Sequence, residues 1–277
     1  MNKKLLALYG LKWNPFSPEL PLEALYSNAK VESFCWRVDQ GLIREGGFAM
    51  ISGDPGTGKS VVLRVLAQRL GQRHDLTVGA IVHPSGNLAD FYREMGDLFG
   101  VELRPHNRWG GFKALRERWL AHLEGTLLRP VLLIDEAQEM HAGVLNELRL
   151  LSSMQFDSRN LLSVVLAGDA RLNHKLRRDE LLPLGSRIRT RLIMEYATRE
   201  ELGECLNHLL RTAGAPHLMS KELATTLCDH AVGNYRVLTG MAGELLATAA
   251  QRELTQLDEK LFLELFTPSP SKARKRT

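Results

Sequence analysis

A chain of 277 residues with 44% hydrophobic and 25% charged content has the composition of a globular protein of one large or two smaller domains, which excludes a fibrous or wholly disordered one. No apolar run approaches the roughly 18 residues that a membrane-spanning helix requires, so an integral membrane protein is not expected. The formal charge of +4 is unevenly placed: Lys272, Arg274, Lys275 and Arg276 lie in an acid-free stretch from Thr267, and the remainder is close to neutral.

In chain order, Met1 to Leu8 briefly imitates a signal peptide. Lys12 interrupts the apolar run, and Trp13-Asn14-Pro15-Phe16 offers no small-residue cleavage site. The expectation is a soluble cytoplasmic protein. Residues 1–40 read as an N-terminal segment packing on the domain that follows, irregular at Pro15, Pro18 and Pro21, with a helix near Ala29 to Leu42. Phe48 to Ile51 is a short apolar strand, and Val61, Val62, Leu63, Val65, Leu66 and Leu70 recur at helical spacing after a glycine-rich stretch. Strands are then expected at Thr77–Val82, Pro130–Asp135 and Leu161–Ala167. Helices are expected at Leu88–Phe99, at Gly111–Leu128 and around Leu145, Leu148 and Leu151. Apolar strands alternating with helices predict an α/β fold, a parallel sheet with helices on both faces, over residues 41–195.

From Thr198 the strand signal nearly vanishes. Helices are expected at Glu201–Thr212, Ser220–His230, Val237–Arg252 and Asp258–Phe266, with Thr198 and Ser220 where N-caps would sit. Residues 196–266 therefore read as an all-helical lid domain, and 267–277 as a disordered basic tail, either solvated or in contact with nucleic acid. Cys35, Cys205 and Cys228 show neither metal-ligand spacing nor a disulfide framework, so they read as buried, inert thiols in a reducing compartment.

Between the first strand and helix, Gly53-Asp54-Pro55-Gly56-Thr57-Gly58-Lys59-Ser60 fits G-x-x-x-x-G-K-[ST] at every fixed position. Glycines let the backbone turn tightly and aim its N–H groups at phosphate oxygens, and the positive end of the following helix adds to the attraction. Lys59 is expected to reach the β- and γ-phosphates of ATP, Ser60 to ligate Mg²⁺, and Val61 to close the cradle. A second element completes the chemistry. The apolar strand Val131 to Ile134 ends in Asp135, placed to hold the Mg²⁺ shell, and Glu136, placed to orient or deprotonate the attacking water. A strand leaving the core often ends in acids. After a complete phosphate loop on an α/β pattern, the catalytic reading is the stronger one.

With those residues in place, the chain resembles the AAA+ ATPases (P-loop NTPases). It is more closely similar to the branch that contains the A-component of bacterial general secretion and the ATP-dependent regulators of DNA transposons. Tyr9-Gly10-Leu11-Lys12-Trp13-Asn14-Pro15-Phe16 resembles that branch's "YGL-x-x-NPF" opening. Ile134-Asp135-Glu136-Ala137-Gln138 resembles its "DEAQ" segment and Leu166 to Leu172 its "L-x-G-Q-x-x-L". Ser186-Arg187-Ile188 and Gly233-Asn234-Tyr235-Arg236 stand at two further matching places. The resemblance implies a γ-phosphate sensor at the end of the fourth strand, where this chain has Asp169. A carboxylate there is repelled by phosphate unless a cation intervenes. Asp169 could instead face a neighbouring subunit, with Asn173 sensing. It also implies an arginine reaching the next subunit's γ-phosphate, Arg187 first and Arg191 second, with Arg189 a solvated charge, and Arg236 contacting the γ-phosphate in cis. Surface arginines balancing local acids are the alternative. Phe16 and Ile43 either line an adenine pocket or simply pack in the core.

A trans arginine implies a homo-oligomer, ring or helical filament, held together by ATP. The leading expectation is an ATPase that assembles on duplex DNA without reading sequence and presents it to a transposase, with or without a targeting adaptor. Candidate DNA contacts are Arg104, His106, Asn107, Arg108 and Lys113, and His174, Lys175, Arg177 and Arg178; a solvated face is the competing reading. Trp109 and Trp119 read as packing residues. The alternative is the ATPase of a secretion or envelope-assembly system working with a separate membrane partner. A third reading is an initiator-like or signalling NTPase with little turnover, against which intact Lys59, Asp135 and Glu136 argue.

Overall fold

The computed structural model describes residues 2–84, 86–103 and 107–266, and these form two compact units: Ser27–Glu195, and the residues up to Tyr26 together with those from Tyr196 onward. The first contains seven strands: β1 (Gly47–Gly53), β2 (Val78–Ile81), β3 (Val131–Ile134), β4 (Ser153–Met154), β5 (Arg159–Asn160), β6 (Ser163–Gly168) and β7 (Ile188–Met194). Five of them make a sheet in the order β2-β3-β6-β1-β7, every neighbouring pair parallel.

Alternate residues along the central strands show that both faces are covered. Phe48 and Met50, Leu132 and Ile134, and Val164 and Leu166 join one core with Phe91, Met95, Leu115, Trp119 and Leu148 from the helices Leu88–Phe99, Arg108–Thr126 and Ala142–Ser152. Their neighbours Ala49, Ile51, Leu133 and Val165 point the other way and are equally buried. The helix Lys59–Gly71, with Val62, Val65, Leu66 and Leu70 buried, packs on that second side against β1, β2 and β6. Strands buried on both faces cannot alternate apolar with polar residues, which is why their sequences run continuously apolar. β1, β6 and β3 all end on the same edge, so the chain leaves the sheet at Asp54, Asp169 and Asp135 side by side. That carboxyl edge is where ligands bind open parallel sheets.

Three features differ from expectation. β7 carries no strand-like run in sequence, because Arg189, Arg191 and Ile193 face solvent from the sheet's edge and only Ile188 and Leu192 are buried. Charge on an edge strand also discourages pairing with another chain. β4 and β5 form a short hairpin whose turn holds Gln155, Phe156 and Asp157 at φ of 54°, 56° and 65°. The helix expected from Ala29 to Leu42 is regular only over Ala29–Arg37 and continues as a widened turn through Val38–Leu42.

The second unit is helical: Arg199–Thr212, Lys221–Ala231, Tyr235–Gln251 and Glu259–Phe266, joined by Asn2–Tyr9. Thr198 and Glu201 cap the first of these reciprocally. The Thr198 hydroxyl accepts from the Glu201 N–H at 3.2 Å, and Glu201 accepts from the Thr198 N–H at 3.0 Å. Ser220 accepts from the Leu223 N–H at 3.1 Å. The N-terminal segment corrects the reading of residues 1–40. Leu5, Leu11 and Phe16 are buried within the core that Leu206, Leu238 and Leu245 build, so residues up to Tyr26 belong with the helical unit; only the remainder belongs with the sheet. Their apolar side chains match a helical core that would otherwise leave that surface open to water. All three cysteines are buried and free, and burial pushes the Cys35 thiol up to about 11 and that of Cys205 to about 12, so both stay protonated and unreactive near neutrality. Among the described residues, no helix is long and apolar enough to cross a membrane.

At the sheet's carboxyl edge, a Cβ on Gly53 would lie 2.3 Å from the Met194 carbonyl oxygen, its register partner on β7. Gly53→Ala must therefore prise β1 from β7, and an overpacking cost of about 2–3 kcal/mol is expected in urea unfolding.

Candidate functional site

The phosphate loop leaves β1 at Gly53 and turns through Gly56 and Gly58, at φ of 85° and 101°, conformations that only glycine adopts without strain. Gly58 occupies the N-cap of the helix Lys59–Gly71, so the positive end of that helix opens into the loop. The Thr57 hydroxyl donates to the Asp54 carbonyl at 2.8 Å and locks the turn. Lys59 is 7% exposed, and its ammonium donates to the carbonyls of Gly53 at 2.9 Å and Asp54 at 3.1 Å. The Asp54 and Ser60 side chains are exposed, and Pro55 and Val61 flank the loop without entering the core.

On the next but one strand, Asp135 follows β3, its N–H bonded to the Ile81 carbonyl at 2.9 Å. Glu136 has a left-handed backbone, φ 49° and ψ 38°, uncommon for a non-glycine residue and held by its surroundings. Its N–H donates to Asp135 Oδ1 at 2.9 Å, and its carboxylate accepts from the Gln138 amide. Gln138 is 4% exposed, and its Oε1 accepts from the Asp169 N–H at 3.2 Å across to the end of β6.

Asp169 caps the short helix Ala170–Leu176, accepting from the Arg171 N–H at 2.8 Å and from Arg171 Nε at 2.9 Å. Burial opposes its ionisation, but Arg171 and the nearby charge of Lys59 outweigh burial and hold the carboxyl below its usual range. Asp169 therefore stands ionised near the loop lysine. The donor set suits a polyphosphate with a hard cation: one ammonium, a helix N-terminus, a hydroxyl at Ser60 and a carboxylate at Asp135. Such a cation completes its shell from phosphate and water. Among the described residues no cluster of three or more His, Cys, Asp or Glu forms an all-protein metal site.

The arginines take separate paths. Arg187 pairs with Asp157 of the β4–β5 turn and donates to the Pro183 carbonyl. Arg191 donates to the Gly185 carbonyl at 3.1 Å, and Arg189 lies 3.4 Å from Glu45 with both side chains largely exposed. Arg236 is exposed in the first turn of Tyr235–Gln251, a turn capped by Asn234 and entered through Gly233 at φ 79°. Ile43 is fully buried in the sheet unit and Phe16 is buried in the helical unit, the core packing that was one of the two readings. Trp119 is fully buried against Phe99, and Trp109 stacks on Phe112 at 5.7 Å while remaining 69% exposed.

Two candidate DNA contacts have partners within the fold. Lys175 donates to the carbonyls of Gln138 at 2.5 Å and Met140 at 2.7 Å, and burial lowers its pKa, so it pins the turn after β3. Arg108 grips Glu147, which is 2% exposed and also accepts from the Tyr92 hydroxyl at 2.5 Å. Asn107 caps the helix Arg108–Thr126 through the Gly110 N–H at 2.8 Å. Lys113, His174, Arg177 and Arg178 remain exposed, while Arg104, His106 and the basic tail lie outside the described residues. In the sequence Gln138 is one letter of a motif with no local signal for a task; its buried amide lies between two acidic positions only in three dimensions.

Residues 43–176 match a family model described as an AAA domain. A relative, a General secretion pathway protein A from Aeromonas hydrophila, is 32% identical over 222 residues, covering 78% of this chain and 40% of that protein. The chain thus spans less than half the length of this relative. Among solved structures, the Aeropyrum pernix ORC2 protein with ADPNP and ADP superposes at TM-score 0.68 and 18% identity, covering 90% of this chain and 69% of that one. The Aeropyrum pernix ORC1 protein in complex with DNA gives TM-score 0.65 at 16% identity, covering 90% of this chain and 67% of that one. Domain III of the Thermotoga maritima replication initiation protein DnaA gives 0.61 at 19%, covering 91% and 98%. These likenesses establish the fold, a P-loop AAA+ sheet followed by a helical region.

The Glu147 carboxylate yields a prediction. Burial would push its pKa up, but the Arg108 guanidinium and the Tyr92 hydroxyl pull it below the usual range. A depressed carboxyl stabilises the fold above its unfolded pKa and loses that contribution as pH falls through the folded value. Arg108→Ala leaves the charge with one partner and is expected to cost about 2–3 kcal/mol near neutrality, below the cost of breaking a fully buried pair because the guanidinium faces solvent. In urea melts over a pH series, the deficit against the parent should narrow in acid as Glu147 takes up a proton.

Proposed function

We propose that this chain, through its AAA domain, is a Mg²⁺-dependent ATP hydrolase that assembles with further copies of itself on duplex DNA and presents that DNA to a transposase. The observation that carries the hydrolase reading is the convergence of Lys59, the Asp135–Glu136 pair and Asp169 at the carboxyl ends of three adjacent strands. Lys59 and the loop N–H groups would hold the phosphates, Ser60 and Asp135 the Mg²⁺ shell, and Glu136 the attacking water. Asp169, ionised near Lys59, would meet the γ-phosphate through the metal or a water rather than directly.

The assembly reading rests on the arginines around β7. Arg187 would exchange Asp157 for a neighbour's γ-phosphate, since a planar guanidinium stays charged and binds oxyanions through paired donors. The DNA reading is supported by the exposed basic residues Lys113, His174, Arg177 and Arg178 and by structural neighbours described in complex with DNA. A second reading has its own support: the relative at 32% identity is named for a secretion pathway, where an ATPase of this kind would act with a separate membrane partner.

Fluorescence anisotropy with a random-sequence duplex separates the two. Binding is expected to be at least tenfold tighter with a non-hydrolysable ATP analogue than with ADP, and to weaken steeply with salt as counterion release requires. Equal binding in every nucleotide state would remove the DNA reading and leave the secretion one. Arg187→Ala should spare ATP binding and abolish the rise in turnover per subunit with protein concentration. If Arg191→Ala alone does so, the trans arginine is Arg191.

A further inference from the structure

We infer that Gln138 is a positioning residue for hydrolysis: its buried amide fixes the Glu136 carboxylate and ties it to the γ-phosphate end of β6. The inference rests on the reading of Glu136 as the residue that orients the attacking water. The amide orientation is fixed by its partners. A carboxylate oxygen can only accept and a backbone N–H can only donate, so Nε2 must face Glu136 and Oε1 must face Asp169. The Gln138 end of both bonds is 4% exposed, so the amide itself is held in place, while the Glu136 it holds is exposed where an attacking water would arrive.

Three further features hold the arrangement. Lys175 bonds the Gln138 and Met140 carbonyls and so fixes the turn from below. Gly168 makes room for the amide, since a Cβ there would lie 2.6 Å from Gln138 Oε1. The Glu136 backbone stays in its left-handed conformation, so the carboxylate's approach is set by side-chain partners rather than by a relaxed main chain. The end of β6 itself carries a carboxylate, Asp169, and no amide. The turn after β3 supplies the amide, and any shift of the β6 end on meeting a phosphate is passed through one side chain to Glu136. Gln138 touches neither nucleotide nor water in this scheme.

The test uses the full chain with three variants. Gln138→Leu removes both bonds at nearly constant volume. Gln138→Glu keeps the acceptor for the Asp169 N–H but sets a like charge against Glu136. Gly168→Ala displaces the amide without altering it; its methyl also meets the buried Leu172 at 2.9 Å, so for this variant only the split between kcat and nucleotide affinity is read, not the melting temperature. Each is expected to lower kcat about 10- to 100-fold, the size of effect a misplacement near 1 Å produces. Affinity for a fluorescent ATP analogue and KM should stay within about twofold of the parent. A merely structural role predicts the opposite pattern: affinity and melting temperature fall together with rate, and Gln138→Glu, which keeps the strand-end bond, behaves as the parent. Either that pattern or a parental kcat in Gln138→Leu overturns the inference. Glu136→Gln distinguishes the two levels. If it hydrolyses normally, the Glu136 reading fails and the inference with it; if it is inactive while Gln138→Leu keeps its rate, only the inference falls.

Discussion

The ammonium of Lys59 is the constraint on which the site depends. A charge in a buried position is tolerated only when oxygen atoms replace its water, and here two carbonyls of its own loop do so. That requires the chain to double back between Gly53 and Lys59, which in turn requires glycine at the two left-handed turns and no side chain where β1 passes β7. The same loop opens the helix Lys59–Gly71, so the lysine, the helix dipole and the strand end are delivered together by one short stretch of sequence. The phosphate cradle proposed here is therefore a local feature of this chain, supported but not created by distant residues.

The proposed catalytic arrangement is different in kind, because it joins elements that are distant in sequence. Glu136 lies after β3 and Asp169 after β6, and the bond between Gln138 and the Asp169 N–H spans 31 positions. Parallel strands make this possible: their carboxyl ends share one edge, so three chain exits meet there without any loop having to cross the sheet. The polar groups at that edge satisfy one another through Gln138, Lys175 and Arg171, and Gln138 is the one of the three that bonds the Glu136 carboxylate.

Basic side chains illustrate how composition misleads. Arg108 and Lys175 look alike in sequence, yet Arg108 is an exposed residue that pairs with the buried Glu147, and Lys175 satisfies two carbonyls under the turn after β3. In both, the charged head finds an oxygen partner within the fold. Arg187, Arg189 and Arg191 were legible as a group, but the alternation that leaves Arg189 and Arg191 on the solvent side of β7 is a consequence of pairing with β1. The helical unit shows the same division. Its caps at Thr198 and Ser220 follow from adjacent residues, whereas the inclusion of Leu5, Leu11 and Phe16 in its core follows from chain folding alone.

The sequence by itself determined the phosphate loop, the buried parallel strands, the acidic exit of β3 and the four helices after Thr198. Each is encoded by spacing within about one element, where backbone preference and apolar periodicity act over a few residues. Only the tertiary structure decided that residues 188–194 form a fifth strand, that the chain up to Tyr26 belongs to the helical unit, and that Gln138 lies between Glu136 and Asp169. Those outcomes rest on contacts between segments far apart in the chain. There, partner choice is set by which surfaces the fold brings together, and no local pattern records it.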